Sequence, residues 1–208
     1  MRLYNCYKGY ILPRLTHMVC MSNDIADQRK KIIPHARGNV LEIGMGSGLN
    51  LPFYDPGKVK QIWGVEPSDG LWAMTRKHTG GLAYKVARIG RYGEQVPLDD
   101  NSADTAVVTY SLCSIPDVEK ALSEIRRILK PGGELLFCEH GRAPDASVRK
   151  WQERLNPLWI PVSGGCHLNR PISSLIEASG LKIRHLEAEY NSGIKIIGFN
   201  YTGIAIKY

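Results

Sequence analysis

From Asn39 onward, short apolar runs rich in Val and Ile alternate with segments of helical periodicity. Strands covered on both faces read as nearly continuous apolar runs, so the alternation predicts an α/β fold with a mostly parallel sheet between two helical layers. Strands are expected at 39–43, 60–65, 83–87, 104–109 and 133–138. Between the last two, Val118, Ala121, Leu122, Ile125, Ile128 and Leu129 recur at helical spacing, which predicts a helix over 117–130. Asp117 is placed to cap its start, and Pro131-Gly132-Gly133 ends it. A further helix is expected at 171–179, before Gly180. The runs 181–190 and 194–206 stand too close for another helix between them and read as a closing antiparallel hairpin.

Two segments break the pattern. In residues 3–20, Tyr4, Tyr7, Ile11, Leu15 and Met18 fall near one helical face, so a broken amphipathic helix is expected that could cover a pocket. Residues 143–170 hold Trp151 and Trp159, Pro144, Pro157 and Pro161, and Gly164-Gly165, a composition expected to form an irregular insertion shaping an acceptor site. The chain thus divides into a helical cap, 1–37, and one α/β domain, 38–208, with no internal repeat or linker.

A chain of 208 residues, 43% hydrophobic and 23% charged, builds one full-sized core and excludes disorder. No apolar run approaches the ~18 residues that cross a bilayer, and Lys8, Gly9, Pro13 and Arg14 interrupt the N-terminal stretch as a signal sequence. The formal charge is +7, and residues 1–37 carry seven Lys/Arg against two Asp, a net +5. Such a bias suits either a solvated face or contact with an anionic lipid surface. Five cysteines without a C-x-x-C pair offer neither a disulfide framework nor zinc-ligand spacing, so no metal site and a reducing, cytoplasmic setting are expected.

The candidate chemistry sits in Val40-Leu41-Glu42-Ile43-Gly44-Met45-Gly46-Ser47-Gly48, a buried strand running into a glycine-rich turn. Glycines at 44, 46 and 48 let the backbone turn sharply and approach a ligand. The spacing is G-x-G-x-G, and Leu49 occupies the place of the third small residue of the dinucleotide fingerprint, which argues against a pyrophosphate ligand. Glu66, 22 residues beyond Gly44 and at the end of the second expected strand, is placed to accept the hydroxyls of an adenosine ribose. Glu42, inside an apolar strand, needs a partner, for which loop amides or a ligand cation are the candidates.

Together these residues resemble motif I and the acidic position that follows it in class I S-adenosylmethionine-dependent methyltransferases. Residues 92–98, Tyr-Gly-Glu-Gln-Val-Pro-Leu, with Asp100-Asn101-Ser102-Ala103-Asp104, look like the family's D-A-E-x-L-P-F-x-D-x-S-F-D segment bordering the adenine, with Tyr92 in place of the usual Asp. Lys130-Pro131-Gly132-Gly133-Glu134-Leu135 is similar to its L-K-P-G-G turn into the fifth strand. The resemblance implies a Rossmann-like seven-stranded sheet of order 3-2-1-4-5-7-6 with strand seven antiparallel. It implies S-adenosyl-L-methionine as cofactor, lined by Glu42, Gly44, Gly46, Gly48, Glu66, Pro67, Ser68, Gly93, Glu94 and Ser111.

Two narrower resemblances point to different acceptors. Gly164-Gly165-Cys166-His167-Leu168-Asn169-Arg170, with Glu139-His140, looks like the thiol S-methyltransferases, which implies a small hydrophobic thiol acceptor. Residues 7–15, Tyr-Lys-Gly-Tyr-Ile-Leu-Pro-Arg-Leu, resemble the start of small bacterial phospholipid N-methyltransferases, which implies phosphatidylethanolamine and peripheral contact with the inner membrane surface. On the acceptor side His140 is the candidate proton acceptor or a structural histidine, and Tyr7, Ile11, Trp159, Cys166 and Arg170 are candidate acceptor contacts. Cys113 and Cys138 are expected only to pack. A nucleic-acid acceptor suits the basic charge, but Thr109-Tyr110-Ser111-Leu112-Cys113 lacks the N/D-P-P-Y/F sequence of base-amine methyltransferases, and no nucleic-acid or obligate protein partner is expected. A cofactor-binding scaffold without activity is the remaining class.

Overall fold

Val40 and Leu41 point to opposite faces of one strand and both are fully buried, as a strand covered on two sides requires. The computed structural model of the chain describes residues 7–191 and 193–208. The strands are β1 (Gly38–Ile43), β2 (Val59–Val65), β3 (Lys85–Ile89), β4 (Ala103–Thr109), β5 (Leu129–His140), β6 (Lys182–Tyr190) and β7 (Phe199–Ile206). They form one sheet of order β3-β2-β1-β4-β5-β7-β6. β1 pairs in parallel with β2 and β4, β2 with β3 and β4 with β5, whereas β7 runs antiparallel to both β5 and β6. This is the topology the sequence resemblance implies, and it puts the switch in strand order at the carboxyl ends of β1 and β4.

The α-helices are α1 (Leu12–Cys20), α2 (Asn23–Ile32), α3 (Asp69–Thr75), α4 (Val118–Ile128), α5 (Ala146–Val162), α6 (Ile172–Ala178) and the single turn α7 (Lys195–Gly198). On one face of the sheet, Leu122, Ile125 and Ile128 of α4 and Ile172 and Ile176 of α6 pack on Leu41, Ile43, Val108 and Phe137. Each such side chain contributes roughly 1.5–3 kcal/mol on full burial. On the other, Ile32 of α2 and Ile33, Leu51 and Tyr54 pack on Val40, Ile62, Val107 and Leu136. Asp117 caps α4 by accepting the Lys120 amide at 3.0 Å, as its position predicts.

Three expectations change. The run 194–206 does not begin as strand: Lys195–Gly198 form one helical turn and β7 starts at Phe199. Residues 143–170 hold a regular 17-residue helix, α5, in spite of Pro157 and Pro161. Two buried amides pin it: Gln152 bonds the Ala143 amide and the Gly141 and Ile196 carbonyls, and Asn156 bonds the Leu168 amide and Asn169. These bonds offset the donors the prolines lack. At the N-terminus, Tyr4 and the predicted start of the amphipathic helix lie outside the described residues. A π-helical turn at Tyr7–Ile11 precedes α1, and the buried face of α1 is not the predicted one. Pro13 is buried while Ile11 and Met18 face solvent. His17 Nδ1 lies 2.7 Å from Ser47 Oγ in the glycine loop, which fixes the rotation of α1 about its axis.

Candidate functional site

The glycine turn leaves β1 with all three glycines in the left-handed region, φ +71° at Gly44, +59° at Gly46 and +77° at Gly48. A Cβ on Gly44 would stand 2.0 Å from Ser111 Oγ, so this turn and the loop after β4 interlock only without a side chain there. On Gly46 a Cβ would meet nothing nearer than 3.8 Å, because the main chain there faces a cavity of about 340 Å³. The tip of β2 forms the opposite wall. Glu66, 5% exposed, accepts the Gly46 amide at 2.8 Å and the Ser68 amide at 2.7 Å. Burial holds its carboxyl above the ordinary value, and the two amides pull against that shift.

Gly44, Gly46, Glu66, Pro67, Ser68, Gly93, Glu94 and Ser111 all line this cavity. Gly48 does not: it packs against Leu51 and Thr75 behind the turn. Nor does Glu42. Its side chain shares the Val40 face of β1 and is satisfied within the fold, by Asn50 Nδ2 at 2.9 Å and Tyr54 hydroxyl at 2.7 Å, rather than by loop amides or a ligand cation. Burial raises its pKa to about 7, against the pull of those two donors.

Arg29 also lines the cavity, although nothing in the polar sequence of α2 marks it out. It is 4% exposed, its Nη1 donates to the Cys20 carbonyl at 2.5 Å, and its guanidinium lies 5.8 Å from the centre of the Tyr110 ring. Tyr110, at the end of β4, is held at φ +53° and borders both this cavity and a second one. Strain of this kind in a non-glycine residue costs about 1–3 kcal/mol and gathers where ligands bind.

The second cavity, about 430 Å³, adjoins the first; Leu12, Thr16, Cys20, Tyr110, Ser114 and Ser163 line both. Apolar residues of α1 and α5 make up much of its wall, including Leu15, Val19, Trp159 and Val162. Tyr7 closes it from the N-terminal side, its hydroxyl donating to the Val162 carbonyl. His140 and Cys166 meet at the wall, with Nε2 and Sγ 3.0 Å apart, and Trp159 Nε1 donates to the same sulfur at 3.4 Å. Cys113, expected only to pack, lines this cavity as well. Sharing between the two thiols, together with burial, pushes the Cys166 thiol well above its ordinary range.

Of the predicted acceptor contacts, Tyr7, Trp159 and Cys166 line this cavity with His140, and Ile11 and Arg170 do not. Ile11 is turned to solvent by the π-helical turn. Arg170 is buried behind the wall, where Nη1 donates to the Leu112 carbonyl and its charge is felt by Cys113, Glu139 and Cys166. Trp151 is exposed and stacks under Arg154. Glu139, fully buried, accepts the Ser111, Leu112 and Cys113 amides at 2.6, 2.9 and 3.3 Å and so sets the course of the loop between the cavities.

A glycine turn at the switch point, a ribose-type carboxylate at the neighbouring strand tip and this strand order define the S-adenosylmethionine-dependent methyltransferase class. The sequence model of a methyltransferase domain matches residues 41–137. The thiol S-methyltransferase TMT1A of Homo sapiens is 30% identical over 196 residues, 86% of this chain and 78% of that protein. The chain belongs to the methyltransferase family that contains this relative. The thiol S-methyltransferase TMT1B of Rattus norvegicus is 37% identical over 152 residues, 71% of this chain but 62% of its own length, less than two thirds. Phosphatidylethanolamine N-methyltransferase of Cereibacter sphaeroides is 30% identical over 118 residues, 54% of this chain and 57% of that protein. Among solved structures, an S-adenosylmethionine-dependent methyltransferase of Thermotoga maritima, described as a possible histamine N-methyltransferase, superposes with TM-score 0.61 at 24% identity, covering 100% of this chain and 97% of that one.

The residues of the first cavity fit the family's cofactor. Glu94 and Arg29 both line this cavity, and each keeps one buried side-chain atom, Oε2 and Nε, without a hydrogen-bond partner among the described residues. An amino-acid-bearing adenosine offers both a donor for the carboxylate and a carboxylate for the guanidinium. The volume lies within the ~300–1,000 Å³ usual for small-molecule sites.

Proposed function

We propose that the chain transfers the methyl group of S-adenosylmethionine to the sulfur of a small hydrophobic thiol. When bound, the cofactor supplies an electrophilic methyl carbon on a sulfonium. Glu66 and Glu94 orient the adenosine end, and Arg29 holds the amino-acid carboxylate. The glycine turn admits the backbone to close contact, and α1 excludes water over it. The observation that carries the reading is the shared wall at Tyr110, Ser114 and Cys20, which puts an apolar acceptor cavity directly beside the cofactor cavity.

A thiol is the acceptor this second cavity suits. A thiol ionises near pH ~8.5 and its thiolate is strongly nucleophilic, whereas an ammonium near pH ~10 must first lose its proton to a base. His140, the proposed catalytic residue, favours the deprotonated sulfur from the cavity wall. The names of the two thiol S-methyltransferase relatives support this choice.

A second reading keeps the transfer and replaces the acceptor with phosphatidylethanolamine. It is favoured by the exposed apolar residues Leu15, Val19 and Val162 at the second cavity, by exposed Met18 and Leu158 on the same two helices, and by the basic N-terminal segment, which suit peripheral contact with an anionic inner membrane surface of the cytoplasm. Among the described residues no helix is long and apolar enough to cross a membrane. Purified chain with methyl-labelled cofactor, offered small aromatic thiols and phosphatidylethanolamine vesicles in parallel, separates the two. Label in the thiol alone supports the first reading, and label in the lipid alone rejects it.

A further inference from the structure

Cys113, His140 and Cys166 come from the loop after β4, the end of β5 and the loop after α5, yet their ligating atoms all lie within 4.8 Å of one another. We infer that these three side chains form a binding site for a thiophilic divalent cation, zinc by its chemistry, with a fourth position open to the acceptor cavity. A tetrahedral zinc site, with bonds of about 2.3 Å to sulfur and about 2.0–2.1 Å to nitrogen, separates two sulfurs by about 3.8 Å and sulfur from nitrogen by about 3.5 Å. The Cys166 sulfur stands 3.0 Å from His140 Nε2, so that pair opens by about half an ångström, a side-chain adjustment. The cation displaces the protons of both thiols, which pass to solvent.

The surroundings hold the three ligands in register. The His167 amide donates to the Cys113 carbonyl at 2.8 Å, tying the two cysteine loops together. Glu139 grips the Cys113 amide at 3.3 Å, and Trp159 Nε1 aims its N–H at the Cys166 sulfur. Such outer partners orient ligands and favour the thiolate form. Two thiolates neutralise a divalent cation, and the buried Arg170 beside Cys113 and Cys166 offsets the charge of a third anionic ligand. Three protein ligands and an open position are the arrangement of a catalytic rather than a structural zinc site.

The consequence for chemistry rests on the thiol reading above. An acceptor thiol that takes the open position releases its proton to solvent and is held as thiolate in the second cavity. Its sulfur lone pair forms the new carbon–sulfur bond while the methyl–sulfonium bond of the donor breaks, that electron pair staying on the donor sulfur. The neutral thioether product is a poor zinc ligand and leaves. His140 then acts as a ligand that lowers the cost of deprotonation without taking the proton itself.

The test uses the full chain, stripped with a chelator and titrated with zinc against a chromophoric competitor, then with cobalt for its visible spectrum. The expected result is one equivalent bound, sulfur-to-cobalt charge transfer with tetrahedral d–d bands, and zinc affinity at least roughly 10- to 100-fold weaker in Cys113→Ser and in Cys166→Ser. Unchanged S-adenosylhomocysteine binding by both variants shows that they are folded. Stoichiometric zinc binding lost in both variants supports the site whatever the acceptor proves to be. No zinc bound by the wild type, equal binding by the variants, or formation of a Cys113–Cys166 disulfide in place of metal uptake overturns it. Zinc binding that leaves thiol turnover unaltered overturns the link to the acceptor.

Discussion

The two adjoining cavities are built by different means. The first is centred on loops at strand tips, the turn at residues 44–47, the start of the loop after β2 and the segments at 92–94 and 109–111, with α1 and Arg29 completing the wall. The second is made of side chains drawn from α1, α5, the β4 and β5 ends and the segment before β7. A cavity of main chain leaves a local mark, because glycine spacing and a carboxylate at a strand end are fixed by covalent geometry. A cavity of side chains is gathered only by the tertiary fold. On the proposed function the difference also divides the work: the first region takes the cofactor and the second takes the acceptor.

Substitutions that attack the backbone cavity should have the largest effect. Gly44→Val sets a β-branched residue at φ +71° and drives Cβ to 2.0 Å from Ser111 Oγ. Calorimetry with S-adenosylhomocysteine is expected to show affinity lost by more than about 100-fold, the strain alone being about 1–3 kcal/mol. Near-normal binding would show that the turn does not form the cofactor wall.

Glu42 gives a pH test of the region behind that wall. The unfolded chain ionises this carboxyl near 4.5 and the folded chain near 7, so in between the unfolded state binds fewer protons. Its contribution is therefore full below pH 4.5 and lost as pH rises through 7. Relative to Glu42→Gln, wild-type stability in urea should fall by about 3 kcal/mol across this window. A parallel pair of pH profiles contradicts the burial of Glu42 away from the ligand.

Glu66→Gln sharpens the contrast. It exchanges an anionic acceptor for a neutral one against the Gly46 and Ser68 amides, and a hydrogen bond to a charged group is worth about 1.5–3 kcal/mol. Cofactor affinity should drop roughly 10- to 100-fold with no change in thiol KM at saturating cofactor. The smallest effect is expected in the other cavity. Trp159→Ala should raise the KM for an aromatic thiol by roughly 10-fold and leave cofactor affinity within about 2-fold, since it removes apolar wall and the Nε1 bond to the Cys166 sulfur, both in the second cavity. If it weakened the cofactor more than the thiol, the two cavities would not divide the work as described.

The sequence was legible where periodicity or covalent geometry decides. The α4 stripe, its Asp117 cap and the apolar runs of β1, β2 and β4 stand within one or two residues of their expected bounds. α5 was not legible, because Pro157 and Pro161 argue against a helix and the amides of Gln152 and Asn156 that hold it act across the fold. Arg29 gave no signal within a run of polar residues, and its burial follows from packing α2 against Tyr110. Cys113 and Cys166 lie 53 residues apart, so no spacing rule pairs them, and only the sheet order brings them together beside His140.

On the proposed function the two cavities form one reaction chamber divided at Tyr110, Ser114 and Cys20. A crystal structure with S-adenosylhomocysteine tests it most directly. The account predicts the adenosine against Glu66 and the thioether sulfur at that division, facing the cavity of His140 and Trp159. A ligand whose sulfur lies away from the division, or a first cavity that excludes the molecule, would contradict it.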